Sequence, residues 1–275
     1  MHEFFLTAVI KDGDFEMARA VMQGFCAMNA WQSVHRVLFF TGPPQPRGLP
    51  VEAAIQKTPQ TEPLWRQLKQ VLSRQSFVLQ ARYEVFKDKH FGPDAPAGAL
   101  DLNIVPGILR WTDIPDPIGD RPVTQRKKIE ISDQRNLVRI LSENQHRLKN
   151  EAIEESQSYF RDNIEFNFVR YYYLPPPATA EQPSQPRPLL PPWEELNLTD
   201  PAGKWLLFVK VHVTDDNSPE KMQKAQEQLM VIREELLGVF DFKVIDRRAH
   251  DTRVAQQGNN MPIPLPDKVS VGGRH

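Results

Sequence analysis

Cysteine is nearly missing from this chain: Cys26 stands alone among 275 residues. No internal disulfide can staple the fold, and a thiolate zinc cluster is excluded. Cys26 follows Met22 by one helical turn, so it reads as a small buried apolar residue rather than a nucleophile. A surplus of one charge sign is missing too. Lys and Arg number 34 against 35 Asp and Glu, for a net charge of −1, so no global field draws the chain to nucleic acid or an anionic membrane. No apolar run reaches the roughly 18 residues a membrane helix needs, and the first residues lack the pattern of a signal peptide. The expectation is a soluble protein of a reducing, intracellular compartment. Phosphate-cradling glycine loops are absent, as is the G-x-S-x-G elbow that exposes a serine nucleophile. The 7 histidines are dispersed, none paired at the spacing that grips a metal from one helix face.

Proline, by contrast, is plentiful. Of the 25 prolines, 15 cluster in two stretches, 42–63 and 175–201, which read as exposed loops; a polar, proline-containing tail from about residue 255 reads as loosely held. Between these loops the pattern is strand chemistry. In residues 163–174, Ile164, Phe166, Phe168 and Tyr172 share one face while Glu165, Asn167, Tyr171 and Tyr173 share the other. A strand about twice the usual length belongs to a large curved sheet or barrel.

The same alternation predicts strands over 2–11, 33–41, 77–87, 123–132 and 204–214, with an interrupted one over 102–111. Phe15, Ala18, Met22 and Phe25 predict a helix after the first strand. Leu64, Trp65, Leu68, Val71 and Leu72 predict a second, and Ser218-Pro219-Glu220 starts a third that carries Met222, Ala225, Leu229, Ile232 and Leu236. Leu137, Ile140 and Leu141 predict a helix that continues through charged residues to about Glu155, and residues 239–246 predict a last strand. Both ends then read strand, helix, strand, which suggests two pseudo-repeated halves contributing to one sheet in a single domain spanning 1–275. The class is α+β, β-dominated.

If the strands close into a barrel, their polar faces bring Arg82, Glu84, Glu130, Glu165, Asn167, Lys210, His212 and Lys243 toward one lumen. Opposed charges in a tunnel suit a polyanion held with a metal. A metal-triphosphate site, however, needs several carboxylates on one strand face, and each strand here offers at most one. Mutual pairing of these charges is the favoured reading. The acidic pairs Glu154-Glu155, Glu194-Glu195 and Glu234-Glu235 read as solvated surface. Trp65, Trp111 and Tyr171 are candidate anchors for a protein partner, against the core reading that large aromatics always carry.

Three segments carry a resemblance: Met1-His2-Glu3-Phe4, then Arg110-Trp111-Thr112-Asp113-Ile114-Pro115, then the run from Phe242 through Arg247 to His250-Asp251-Thr252-Arg253-Val254. In order and spacing they resemble the Mediator subunit 18 family of fungal type. That resemblance implies a multistranded antiparallel β-barrel flanked by helices, in a non-catalytic subunit of the head module of a nuclear transcription coactivator. It also implies a heterodimer with Mediator subunit 20, docking of the C-terminal helix of subunit 8, contact with other head-module subunits, and work on RNA polymerase II through protein contacts without cofactor or direct nucleic-acid binding. The family's barrel is similar to those of triphosphate-tunnel enzymes, whose opening strand carries E-x-E-x-K. Here Glu3 is followed by Phe5 and Thr7. A metal-dependent phosphohydrolase or polyphosphate-binding protein is the alternative.

Overall fold

The computed structural model describes residues 1–49, 57–93, 95, 100–174, 185–214 and 218–254. The chain opens with β1 (His2–Ile10), α1 (Phe15–Cys26) and β2 (Trp31–Thr41). α2 (Glu62–Leu72) carries proline in its first turn, where the missing N–H costs nothing. Next come β3 (Val78–Glu84), the single turn α3 (Lys87–His90) and β4 (Gly107–Thr112). A Cβ on Gly107 would lie 2.8 Å from the Tyr83 ring, so only glycine lets β4 start against β3. The expected strand over 102–111 therefore forms only from Gly107 onward. β5 (Thr124–Gln134) and α4 (Leu137–Glu143) follow, then β6 (Arg147–Arg161), β7 (Ile164–Tyr173), the two-residue β8 (Asn197–Leu198) and β9 (Trp205–Val213). α5 (Pro219–Glu235) is capped by the Ser218 hydroxyl, which accepts from the Lys221 N–H.

Two expected elements are corrected. The helix at Leu137 stops at Glu143, and residues 147–161 form a strand of 15 residues instead of helix. Its Lys, Asn and Glu residues disfavour strands in isolation, but ladders to β2 from Arg147 to Ser158 and to β7 from Ala152 to Arg161 override that local preference. Residues 239–246 form no strand. Only an isolated bridge, Phe242 to Ala8, and the Lys243 N–H donated to the Thr7 carbonyl (2.8 Å) remain, so the C-terminal half lacks the second strand of the proposed repeat.

The sheet runs β6-β2-β3-β4-β5-β1-β9-β7, and β6 also pairs with β7, so eight antiparallel strands close on themselves; β8 is appended to β7. Closure removes the exposed sheet edges that invite aggregation. Its apolar faces point outward, under the helices. One cluster packs Phe15, Ala18 and Met22 of α1 and Ala225, Leu229 and Ile232 of α5 onto Phe4, Leu6, Phe166, Phe168, Leu207 and Val209. Phe15 stacks on Trp205 with centroids 3.9 Å apart. A second cluster packs Trp65, Leu68 and Leu72 of α2 and Leu137 and Leu141 of α4 onto Leu79, Ala81, Leu109, Ile129 and Ile131. The period-two alternation that hides these residues turns the polar faces into the bore.

The loops are less exposed than their composition suggests. Leu49, inside the first proline-rich stretch, is buried in the second cluster, and the Gly48 N–H donates to the Leu72 carbonyl. In the second stretch Leu190 is buried, and Arg187 bonds through its carbonyl to Arg36 and through its N–H to Glu151. Residues 175–184 and the expected tail lie outside the described residues.

Residues 242–254 form a strap. It leaves β1 at Thr7, sets His250 edge-on to Phe5 (5.7 Å), and reaches β3 and β4, where Val78 donates to the Thr252 carbonyl and Thr252 to that of Thr112.

Candidate functional site

The barrel interior holds the densest concentration of charge. On β1, Glu3 is 1% exposed. Its carboxylate accepts from Arg126 Nε at 2.6 Å and Lys128 Nζ at 3.2 Å, and lies 3.1 Å from His212 Nε2. Burial pushes the Glu3 carboxyl up, but Lys128, Arg126 and His212 outweigh it and hold it well below the usual carboxylate range. Lys128 also reaches Glu130 at 3.1 Å, and Glu130 pairs with Arg110. Against the burial penalty, Arg110 and Lys128 bring the Glu130 carboxyl down to about 2.

Across the bore, Arg82 forks onto Glu154, with Nη1 to Oε2 at 2.9 Å, and the Tyr171 hydroxyl donates to the same oxygen at 2.7 Å. Burial is again the largest influence on Glu154, and Arg82 overturns it to leave a strongly depressed carboxyl. A third group joins Lys210 Nζ to Asn167 (2.8 Å), Asn167 to Ser158 (2.9 Å) and Ser158 to Glu165 (3.0 Å). Lys210 itself is lowered, chiefly by burial.

These contacts decide what the lumen can do chemically. Glu3, Glu130 and Glu154 each face at least one guanidinium or ammonium, and Glu165 shares a hydroxyl and a distant Lys210 at 3.8 Å. Among the described residues no three His, Cys, Asp or Glu side chains converge to hold a metal ion. On the opening strand the places of a second acid and a base are taken by Phe5, fully buried against Phe208, and by Thr7, whose hydroxyl donates to the Lys243 carbonyl. The interior is a network of paired charges in which Glu3, Glu130, Glu154 and Glu165 face Arg82, Arg110, Arg126, Lys128 and Lys210.

Of the sequence-derived lumen set, Arg82, Glu130, Glu165, Asn167, Lys210 and His212 lie in these groups. Glu84 sits exposed at the end of β3. Lys243 is a correction: without a strand to aim it inward, its side chain is 74% exposed and pairs with Asp241 at 2.6 Å. Glu3, Arg110, Arg126, Lys128 and Glu154 were missed, although Arg126-x-Lys128-x-Glu130 carries the two-residue spacing of one strand face. Glu154 and Glu155 are not solvated surface. Glu155 lies on the outer face of β6, bonded to Lys87, Arg170 and the Tyr172 hydroxyl.

Two of the three aromatic anchors, Trp65 and Trp111, are corrected as well. Trp65 and Trp111 are each 3% exposed inside the second cluster, Trp111 edge-on to Phe77. Tyr171 is partly exposed, but its hydroxyl is committed to Glu154 inside the barrel. The exposed aromatics among the described residues also include Trp31 and Phe160, at the start of β2 and the end of β6, where an alternating pattern gives no hint that the strand has outrun its cover, with Phe86 and Tyr173.

A protein-family model described as Med18 protein matches residues 2–253. The chain belongs to this family. It is 22% identical over 275 aligned residues to Mediator of RNA polymerase II transcription subunit 18 of Aspergillus oryzae, covering 92% of this chain and 99% of the other. The Aspergillus niger protein of the same description is 31% identical over 77 residues, 28% of each chain. Among solved structures, a chain of the Schizosaccharomyces pombe Mediator head module superposes with a TM-score of 0.60 at 12% identity, covering 92% of this chain and all of that one. At that identity the likeness establishes a shared fold: the Med18 barrel.

Proposed function

We propose that the chain is a non-catalytic subunit of the Mediator head module, acting in the nucleus by bridging regulators and the RNA polymerase II machinery through protein contacts. The observation that carries this reading is the family match across 2–253, joined to a fold shared with a chain of the S. pombe head module. Its partners in this reading are Mediator subunit 20, as a heterodimer, and the C-terminal helix of subunit 8. The lumen supports the non-catalytic part. An enzyme of the tunnel type needs several carboxylates free to share one divalent ion. Here Glu3, Glu130 and Glu154 are consumed by ion pairs, and Phe5 and Thr7 stand where further charge would be required.

Such a barrel acts as a rigid frame. Interlocked charges inside and two helix-covered cores outside fix the relative positions of surfaces on opposite sides, and a partner helix can be laid into an apolar groove of a frame of this kind. Co-expression with subunits 8 and 20 of the same organism tests the reading. A stable complex on size exclusion is expected. Folded, monodisperse chain that recovers neither subunit would overturn it, as would phosphate release from a triphosphate with a divalent metal that is lost in Glu3→Gln.

A further inference from the structure

Alternation turns polar side chains into the bore, but at each end of the barrel aromatic rings interrupt the pattern. At the end where β3 begins and β4 finishes, which the strap crosses, Phe5 and Phe208 share the inner face with Glu3 and Lys210. Phe5 is fully buried there. Its ring meets Phe208 edge-on at 5.7 Å, the strap sets His250 against it, and Arg126 lies 4.9 Å from its centroid. Lys210 lies 5.4 Å from the Phe208 centroid. An extended segment and two cations cover the rings at this end.

The opposite end, where β2 begins and β3 and β6 finish, has rings without that cover. Trp31 precedes by two Ser33, whose hydroxyl meets that of Ser156 inside the bore at 2.8 Å. Phe160 follows Ser158 by two, and Ser158 stands opposite Trp31 in the ladder. Phe86 follows Glu84 by two, on backbone kept extended by the Val85 N–H donated to the Val34 carbonyl. All three side chains therefore project from the inner face of the adjacent strands β3, β2 and β6, at one end. Trp31 is 67% exposed, and Phe86 and Phe160 are each 47% exposed. Among the described residues no ring packs on Trp31 or Phe160 and no cation lies over either, whereas Phe86 has His90 and Lys89 beside it.

The charge beside these rings is negative. Glu165 faces Phe160 directly across the β6–β7 ladder; its carboxylate accepts from Ser158 at 3.0 Å, while Lys210 stands off at 3.8 Å and bonds Asn167 instead. Glu84, exposed beside Phe86 on the same face, has no ion pair among the described residues. The cations next along the chain are committed elsewhere, Lys87 to Glu155 and Arg161 to Glu235. We infer that this aromatic lip receives an extended basic segment of a partner protein, with an arginine laid across Trp31 and Phe160 and its guanidinium donating to Glu165. The partner then supplies at this end what the strap, Arg126 and Lys210 supply at the other. Arginine fits better than lysine, because a planar guanidinium stacks on an indole and forks onto a carboxylate at once. Clustered, unpacked aromatic rings of this size mark interaction surfaces. The inference rests on the interaction-subunit reading only in taking a protein segment as the ligand.

The test uses the full chain and short fluorescein-labelled peptides alternating threonine, which favours extended backbone, with arginine, lysine or glutamate, followed by anisotropy at about 0.15 M salt. Saturable binding of the arginine peptide is expected, weaker binding of the lysine peptide, and none of the glutamate one. Trp31→Ala combined with Phe160→Ser should weaken the arginine peptide by about tenfold or more, and Glu165→Gln by several-fold. Tyr173→Ser, which removes an exposed ring at the far end of β7, should leave the affinity unchanged. Unchanged melting curves for the double variant will separate lost binding from lost fold. No saturable binding, equal affinity for wild type and the Trp31/Phe160 double variant, or an equal loss in Tyr173→Ser overturns the proposal. So does a dimer in sedimentation that Trp31→Ala disperses, which would assign the lip to a second copy of this chain. Co-expression with subunits 8 and 20 is a separate measurement, so failure of the peptides is distinguishable from failure of the wider reading.

Discussion

Arg82 and Glu154, 72 residues apart, meet inside the barrel as a two-pronged ion pair with both side chains almost wholly buried. They belong to β3 and β6, which are not neighbours in the sheet, since β2 runs between them. The pair therefore braces the bore across a strand. Buried ion pairs contribute little net stability when intact, yet breaking one leaves an uncompensated charge.

Glu154→Ala should accordingly destabilise the fold by about 3–5 kcal/mol. Arg82→Met with Glu154→Leu should cost less than Glu154→Ala alone, because no lone charge is left behind. Urea denaturation of Arg82→Met, Glu154→Leu and their double measures the coupling. Additive losses would show that the two residues act independently.

The pH dependence of stability has two windows. Glu3, Glu130 and Glu154 are depressed in the fold, Glu130 from an ordinary 4.5 to about 2. Their contribution is complete above about pH 4.5 and is lost as pH falls below it, that of Glu130 by about pH 2. His35 works higher: burial, aided by Arg82, lowers it from 6.5 to about 4, so it is neutral in the fold. Its contribution is complete above pH 6.5 and is lost as pH falls toward 4. His250, also lowered to about 4 mainly by burial, shares that window. Urea midpoints should fall in two stages, and His35→Asn should flatten the upper stage without removing it.

The two kinds of tryptophan should separate cleanly. Trp111→Ala removes a buried ring packed on Phe77 and should cost about 3–5 kcal/mol. Trp31→Ala, at a position 67% exposed, should change stability by no more than about 0.5 kcal/mol. Thermal melts of the two variants check this, and a large loss from Trp31→Ala would contradict its exposed placement.

Truncation after Asp241 removes the strap and the bonds it makes to Thr7, Val78 and Thr112. The melting temperature should drop by several degrees, and hydrogen exchange should rise at Val78, whose N–H the Thr252 carbonyl accepts.

Much of this architecture was legible in the sequence because alternation has a direct physical cause. Phe166 and Phe168 must be hidden, so Glu165 and Asn167 must face the other way, and the same logic placed Lys210 and His212. The reading failed where partners far along the chain decided the outcome. Glu154 and Glu155 look like solvated helix surface until β2 and β7 flank them and Arg82 and Arg170 arrive from elsewhere. Phe240 and Phe242 alternate like a strand, yet β1 has room there for a single bridge. Trp65 and Trp111 could not be told apart from surface anchors, because burial depends on which helix covers which strand.

The strap and the first strand also set an order of events during translation. His2 waits for Val213, and Thr7 for Lys243, so β1 leaves the ribosome long before its last partners are made. Until β9 and α5 are made, Phe4 and Leu6 lack much of the cover they have in the fold, and such exposed apolar surface is prone to aggregation. A ribosome that stops early, even past β9, releases a barrel lacking the strap between β1 and β4. Prematurely terminated messages should therefore yield fragments that are degraded, and not partial subunits that compete for a place in the complex.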